Sequence, residues 1–309
     1  MTAVDILIHA GLHKTGTTWL QQRVFSERDG KEIAYCGDID LLYRTFITPA
    51  ASRFSAADAR EGFAPLLDRA EKHKQLAVMS GEGLAGRPFH AKYYRQHTVR
   101  RLAEAFPEAR ILLTIREQRA IIYSMYGQYL RFGYTASLTE FLRAVPEGSS
   151  HHPILEREFY DYMLLLQDFE QVFPADRICI LPFEWLLDQP QAAIDRLAGF
   201  TGHKLAPIAA ATTRQSSNPA WSDLAYSALR HLNRFHSQDA RWQHKRRFPP
   251  PNAIAHQVNR LTPRALRDRM RQRNKALIER EIGDVYAASN ARLAERIGID
   301  LGHYGYSIG

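Results

Sequence analysis

His9-Ala10-Gly11-Leu12-His13-Lys14-Thr15-Gly16-Thr17-Thr18-Trp19 is the stretch that decides how this 309-residue chain is built. Before it, Val4-Asp5-Ile6-Leu7-Ile8-His9 is a short apolar run that ends just before a glycine loop, the pattern of a buried strand entering a turn. After it, Thr17 to Arg28 reads as a helix. The backbone N–H groups of such a loop, backed by a helix N-terminus, form an anion site. Lys14 adds a point charge, and Thr17 and Thr18 add hydroxyl donors. The ATPase loop GxxxxGK[ST] carries its lysine directly after the second glycine. Here Gly11 and Gly16 keep the glycine spacing, but Thr17 follows and Lys14 lies two places before Gly16. A loop of this kind is built for phosphate, and an ordinary ATPase would not survive the displaced lysine.

Further apolar stretches run from Gln75 to Ser80, Arg110 to Ile115 and Arg177 to Leu181. Helical patterns at Tyr94–Phe106 and Ile154–Phe173 separate them. Strands alternating with helices predict an α/β fold, a P-loop-type parallel β-sheet flanked by helices. Such sheets carry their sites at the carboxyl ends of the strands, so the loops after residues 9, 80, 115 and 181 are expected to converge. Beyond residue 205 the pattern is mostly helical, interrupted by Pro249-Pro250-Pro251. The expected organisation is a single domain over 1–309, with an α/β core at about 1–202 and helical C-terminal additions at about 203–309.

A second pattern sits at the end of the Arg110–Ile115 run. Arg116 offers a planar fork suited to a phosphate dianion, and Ser124 follows eight positions later on the next helix. Arg119 is nearby, but its distance from Ser124 is wrong for the pattern. With Lys14-Thr15-Gly16-Thr17-Thr18 on a strand–loop–helix, and Arg116 with Ser124 after a later strand, the chain resembles the sulfotransferases that use 3′-phosphoadenosine 5′-phosphosulfate (PAPS). Tyr126–Gly133 resembles the run typical of bacterial members, and Leu181–Leu187 with Phe200-Thr201-Gly202 resembles the family's later strand and helix. The likeness covers about residues 4–202, and more faintly 214–235 and 303–306.

The resemblance implies that Lys14, Thr15, Gly16, Thr17 and Thr18 hold the 5′-phosphosulfate, and that Arg116 and Ser124 hold the 3′-phosphate. PAPS would be the co-substrate and 3′-phosphoadenosine 5′-phosphate (PAP) the product. Many relatives close the nucleotide site with a later basic or glycine-rich loop; Thr213–Asn218 and Lys245-Arg246-Arg247 both fit that description. Lys14 suits charge stabilisation on the leaving phosphate. Many carbohydrate-specific members place a glutamate just after the second core strand, and Ser80-Gly81-Glu82-Gly83-Leu84 supplies one. Glu82 is therefore the expected general base, with glycines on both sides that permit close approach of substrate. His9 and His13 rank behind it, His9 as a buried strand end and His13 as part of the loop. Aromatic and arginine residues at Tyr35–Phe54 and Phe132–Tyr134 suit a sugar acceptor bearing anionic groups. A carbohydrate or glycolipid hydroxyl is the preferred acceptor over a small alcohol, a phenol or a peptide tyrosine.

Composition sets the remaining bounds. The net charge is +8, and residues 241–275 alone hold eleven Lys or Arg against the single acid Asp268. That segment can face phosphate, an anionic glycan, lipid or nucleic acid, or stand as a solvated arginine-rich face. A nucleic-acid module would leave both phosphate patterns unexplained, so nucleic acid is not an expected partner. A P-loop small-molecule kinase requires the lysine that Thr17 replaces. The start of the chain lacks a basic n-region, and apolar runs such as Ile111–Ile115 are too short to span a bilayer. Peripheral membrane contact stays open, as does the oligomeric state. Cys36 and Cys179 are the only cysteines and form no CxxC, so neither a disulfide framework nor a zinc site is expected. No cluster has metal-ligand spacing, so no metal is expected, and the cysteine usage fits the cytoplasm.

Overall fold

The computed structural model describes residues 4–87, 91–143, 155–208, 221–235 and 250–309. The chain divides into two compact units, one of Met1–Glu117, Arg157–Ser217 and Ala287–Gly309, the other of Gln118–Glu156 and Asn218–Tyr286.

The first unit is built on five parallel strands: β1 (Ile6–His9), β2 (Ile33–Cys36), β3 (Leu76–Ser80), β4 (Arg110–Ile115) and β5 (Ile178–Pro182). Their order is β2-β3-β1-β4-β5. β1 pairs with β3 from Ile6↔Ala77 to His9↔Ser80, and with β4 on its other side. Every residue of β1 and β3 is fully buried. Both faces of these strands are covered, which is why they read as unbroken apolar runs and not as alternating ones. On one face Leu7, Val78 and Leu112 meet Leu20, Val24 and Phe25 from residues 17–28, together with Ile194 and Leu197 from the helix Pro190–Thr201. The chain leaves β1 towards β2 and β3 on one side and β4 and β5 on the other, so the order reverses beside β1. Ligands of open α/β sheets bind at such a reversal, outside the carboxyl ends of the strands.

This architecture is the P-loop-type α/β sheet expected from the sequence, with two local differences. β2 was not foreseen. It is an edge strand of four residues, half of it only partly buried, and too short to show a period. The single helical pattern at Ile154–Phe173 is broken: a 3₁₀ turn at Arg157–Tyr160 precedes a helix at Tyr162–Glu170. Asp161 accepts hydrogen bonds from Met163 N and Leu164 N, and this cap starts a new helix where periodicity alone would continue the old one. Residues 17–28 are helical as expected, with a π-helical segment at Leu20–Phe25.

Arg95 is a buried cation of this unit. It donates to Ala85 O at 2.8 Å and Phe159 O at 3.1 Å, and pairs with Asp168 at 3.2 Å. Its hold on Ala85 anchors the turn that leaves β3.

The second unit is helical, with helices at Gln118–Arg131, Leu138–Arg143, Asp223–Asn233, Pro251–Leu261 and Arg264–Ile282. Gly127 lets the first of these meet Tyr226, whose ring would lie 2.6 Å from a Cβ there. Asn233, the last residue of its helix, donates to Leu130 O and Tyr134 O at the end of the first helix. Pro251 opens its helix, where a missing N–H costs nothing. Most of the arginines of Arg264–Ile282 are exposed to solvent. Among the described residues no helix is long and apolar enough to cross a membrane.

Candidate active site

Four loops leave the carboxyl ends of β1, β3, β4 and β5, and side chains join all four. His13, from the first loop, accepts or donates through Nδ1 to Glu82 Oε2 of the second at 2.9 Å. Arg116, from the third, donates to Lys14 O at 3.1 Å. Phe183, from the fourth, packs over Gly16 and beneath the Arg116 guanidinium, 5.0 Å from its ring centroid. The convergence expected from strand ends is present.

The first loop is shaped by its backbone. Gly16 has φ +86°, and a Cβ there would lie 2.6 Å from Phe183 Cδ2, so only glycine fits. Lys14 also lies in the left-handed region, at φ +67°, where a non-glycine residue is strained. The Arg116 bond to its carbonyl helps to hold it there. Lys14 and Gly16, turned in this way on either side of Thr15, curve the loop, and curved backbone of this kind can offer its N–H groups to an anion. No side chain caps the helix that starts at Thr17, which leaves its first N–H groups for an anion.

Hydroxyls in the loop have different uses. Thr15 is fully buried and donates to Leu12 O at 2.6 Å, with Thr114 Oγ1 at 2.7 Å. Thr17 turns towards Leu12 O. These two side chains hold the loop's shape, and Thr18 is the half-buried hydroxyl of the three.

Beneath the loop lies a buried histidine whose role the sequence did not disclose. His9 Nδ1 meets Ser80 Oγ at 2.8 Å and Nε2 meets Thr114 Oγ1 at 3.3 Å, and Thr114 is the residue that meets Thr15. Three strand ends are thereby tied to the phosphate loop. Burial drives His9 down to about 4, against a partial upward pull from Glu82. The ring is thus neutral when folded and charges near 6.5 when unfolded. Its contribution is complete above pH 6.5 and is lost as pH falls from 6.5 towards 4, at about 1.4 kcal/mol per pH unit. His9→Asn is expected to cost about 1–3 kcal/mol at pH 7 through orphaned buried hydroxyls, and to flatten stability against pH between 6.5 and 4. Denaturant midpoints across that range check both.

Glu82 and His13 form a pair at the strand ends. The Glu82 side chain is 30% exposed and that of His13 25%, so both can be reached from solvent. Burial alone would raise the Glu82 carboxyl. The hydrogen bond from His13 and the electrostatic pull of His13 and Lys14 outweigh it and leave the group below its ordinary value of 4.5. Glu82 is ionised at neutral pH, and Lys14 stands within its electrostatic reach. That His13 would bond to Glu82 was not legible in the sequence; 69 residues separate them.

Arg116 is held from behind. Tyr162 Oη donates to its carbonyl, and Glu117 N donates to Glu184 Oε1 at 3.1 Å. Tyr306, near the end of the chain, donates to the other Glu184 oxygen at 3.0 Å. Burial raises the Glu184 carboxyl despite these bonds and the nearby Arg116. Glu184 and Tyr306 are supports of the site that the sequence analysis missed; Glu184 stood in a quoted stretch without a role. Ser124 lies in the second unit, half-buried on Gln118–Arg131. Arg119, the neighbour set aside on spacing, is paired with Glu279 at 2.6 Å. Thr213–Asn218 and Lys245-Arg246-Arg247 lie outside the described residues.

A glycine loop at the carboxyl end of a parallel sheet, with a carboxylate and an arginine on the neighbouring strand ends, marks a P-loop-type α/β domain. The model of the sulfotransferase domain matches residues 4–275, and the chain belongs to that family. No curated protein matches the sequence. The fold is similar to that of a solved sulfotransferase from Alicyclobacillus acidocaldarius, at 19% identity and TM-score 0.50, over 86% of this chain and 100% of that one. Further similar structures are the sulfotransferase domain of the Synechococcus PCC 7002 olefin synthase (12% identity, TM-score 0.41, 84% and 95% of the two chains) and a mouse sulfotransferase complexed with PAP (14%, 0.37, 86% and 88%).

Proposed function

We propose that the protein transfers a sulfuryl group from PAPS to a hydroxyl of a carbohydrate or glycolipid. The observation that carries this reading is the placement of Lys14 and Glu82: a loop cation and an ionised carboxylate from two strand ends, within electrostatic reach of each other. The loop's turned backbone and open helix N-terminus fit a phosphosulfate, and the Arg116 fork, seated on Phe183, fits a second phosphate. When bound, PAPS supplies an activated sulfuryl group on a phosphate leaving group. Glu82 takes the proton of the acceptor hydroxyl as its oxygen bonds to sulfur, and Lys14 stabilises the charge that the departing 5′-phosphate gains as the sulfur–oxygen bond breaks. The products are a sulfate ester and PAP. Assignment of the 3′-phosphate to Arg116 and Ser124 rests on the resemblance of that pair to the second signature of the PAPS-dependent sulfotransferases.

The geometry of His13 supports a second division of labour, in which Glu82 orients His13 through Nδ1 and the imidazole Nε2 takes the proton. The paired bond at 2.9 Å serves either arrangement.

Transfer from [³⁵S]PAPS to a panel of glycosides, with magnesium chelated, tests the proposal. Labelled sulfate ester is expected in the absence of metal, and [γ-³²P]ATP is expected to label nothing. Magnesium-dependent labelling from ATP would overturn it.

A further inference from the structure

Next to Glu82 stands a cation that the chemistry above does not use. Gly83 has φ +95°, and a side chain there would run into the Tyr43 hydroxyl. That hydroxyl donates to Glu82 O at 3.1 Å and accepts from Arg87 Nε at 2.7 Å. The Arg87 guanidinium also lies over the Tyr43 ring, 4.3 Å from its centroid. One bond and one stacked face thus fix the plane of the guanidinium. Its two terminal nitrogens have no partner among the described residues, although Arg87 is exposed. The Tyr94 hydroxyl, within electrostatic reach of Tyr43 and Arg87, is buried without a hydrogen-bond partner.

An arginine pre-oriented by an aromatic face, with its outer edge open, is a planar fork for a planar anion. Tyr43 ties that fork to the same peptide that carries the candidate base. A purely structural arginine of this fold looks different: Arg95 spends all three nitrogens on carbonyls and a carboxylate. Arg87 spends one.

We propose that Tyr43 and Arg87 form an acceptor subsite for a sugar carboxylate, so that the preferred acceptor is a uronic acid whose reacting hydroxyl faces Glu82. This rests on the reading of Glu82 as the acceptor side of the site. No proton or bond changes hands at the subsite; it selects and orients.

The test uses the full chain loaded with PAP, titrated calorimetrically with p-nitrophenyl β-D-glucuronide and with p-nitrophenyl β-D-glucoside, which differ in the carboxylate at C6. The wild type is expected to bind the glucuronide roughly tenfold or more tightly than the glucoside, the scale of a charge-assisted hydrogen bond. In Arg87→Gln the two ligands are expected to bind alike, with affinities for the glucoside and for PAP unchanged. Arg87→Lys keeps the charge without the fork and is expected to restore only part of the preference. Equal binding of the two glycosides by the wild type, no binding of the glucuronide, or a preference that survives in Arg87→Gln would each overturn the subsite. Failure to bind PAP would instead sink the nucleotide reading. The same two titrations on nucleotide-free protein then judge the subsite by the same outcomes.

Discussion

Glu82→Gln is expected to turn over at least about 100-fold more slowly than the wild type, with nucleotide affinity nearly intact. Glutamine keeps the volume of the side chain and can still meet His13, so the loop geometry is preserved. What disappears is an ionised oxygen able to take a proton. Because the loss falls on the transition state and not on donor binding, kcat should drop while the Kd for PAP stays put. His13→Asn separates the two arrangements of the pair. If Glu82 is the base, removing His13 takes away the bond that holds the carboxyl low. Burial then raises it, and the acidic limb of the rate profile moves to higher pH with a modest loss at pH 8. If His13 is the base, His13→Asn is as damaging as Glu82→Gln at every pH. Near-wild-type turnover in Glu82→Gln would remove Glu82 from the chemistry altogether.

Arg116→Ala is expected to lower affinity for PAP by about 10- to 100-fold and to lower affinity for AMP far less. A hydrogen bond to a charged group contributes about 1.5–3 kcal/mol, and each 1.4 kcal/mol is about tenfold. AMP lacks the 3′-phosphate and so serves as the internal control for folding. Arg116→Lys should recover little, since an ammonium cannot present the planar fork or stack on Phe183 in the same way. Calorimetry with both nucleotides reads the effect. Equal losses for PAP and AMP would mean that Arg116 acts only by holding the Lys14 carbonyl, as its bond to that atom also allows.

The sequence alone determined a great deal here, because the informative features are local. A strand, a glycine turn and a helix start are written in adjacent residues, and β1, β3, β4 and β5 are apolar runs whose burial on both faces leaves no alternation to misread. The glycine loop could be picked out from adjacent residues for the same reason, and Arg116 was singled out by resemblance to the family's second signature. Short or interrupted elements escaped. β2 is four residues at a sheet edge, and the new helix at Tyr162 begins because Asp161 caps it, a contact that periodicity does not register.

What only the tertiary structure decided is which side chains meet across the strand ends. Parallel strands bring residues far apart in the chain to one rim, so His13 finds Glu82, His9 finds Ser80 and Thr114, and Tyr306 finds Glu184. None of these pairs has a sequence signature, since the strand order β2-β3-β1-β4-β5, and not chain distance, sets who is adjacent. The charge state of Glu82 belongs to the same class. Burial alone would have kept its proton on more readily, and the hydrogen bond from His13 with the nearby charge of Lys14, both brought there by the fold, reverses the sign.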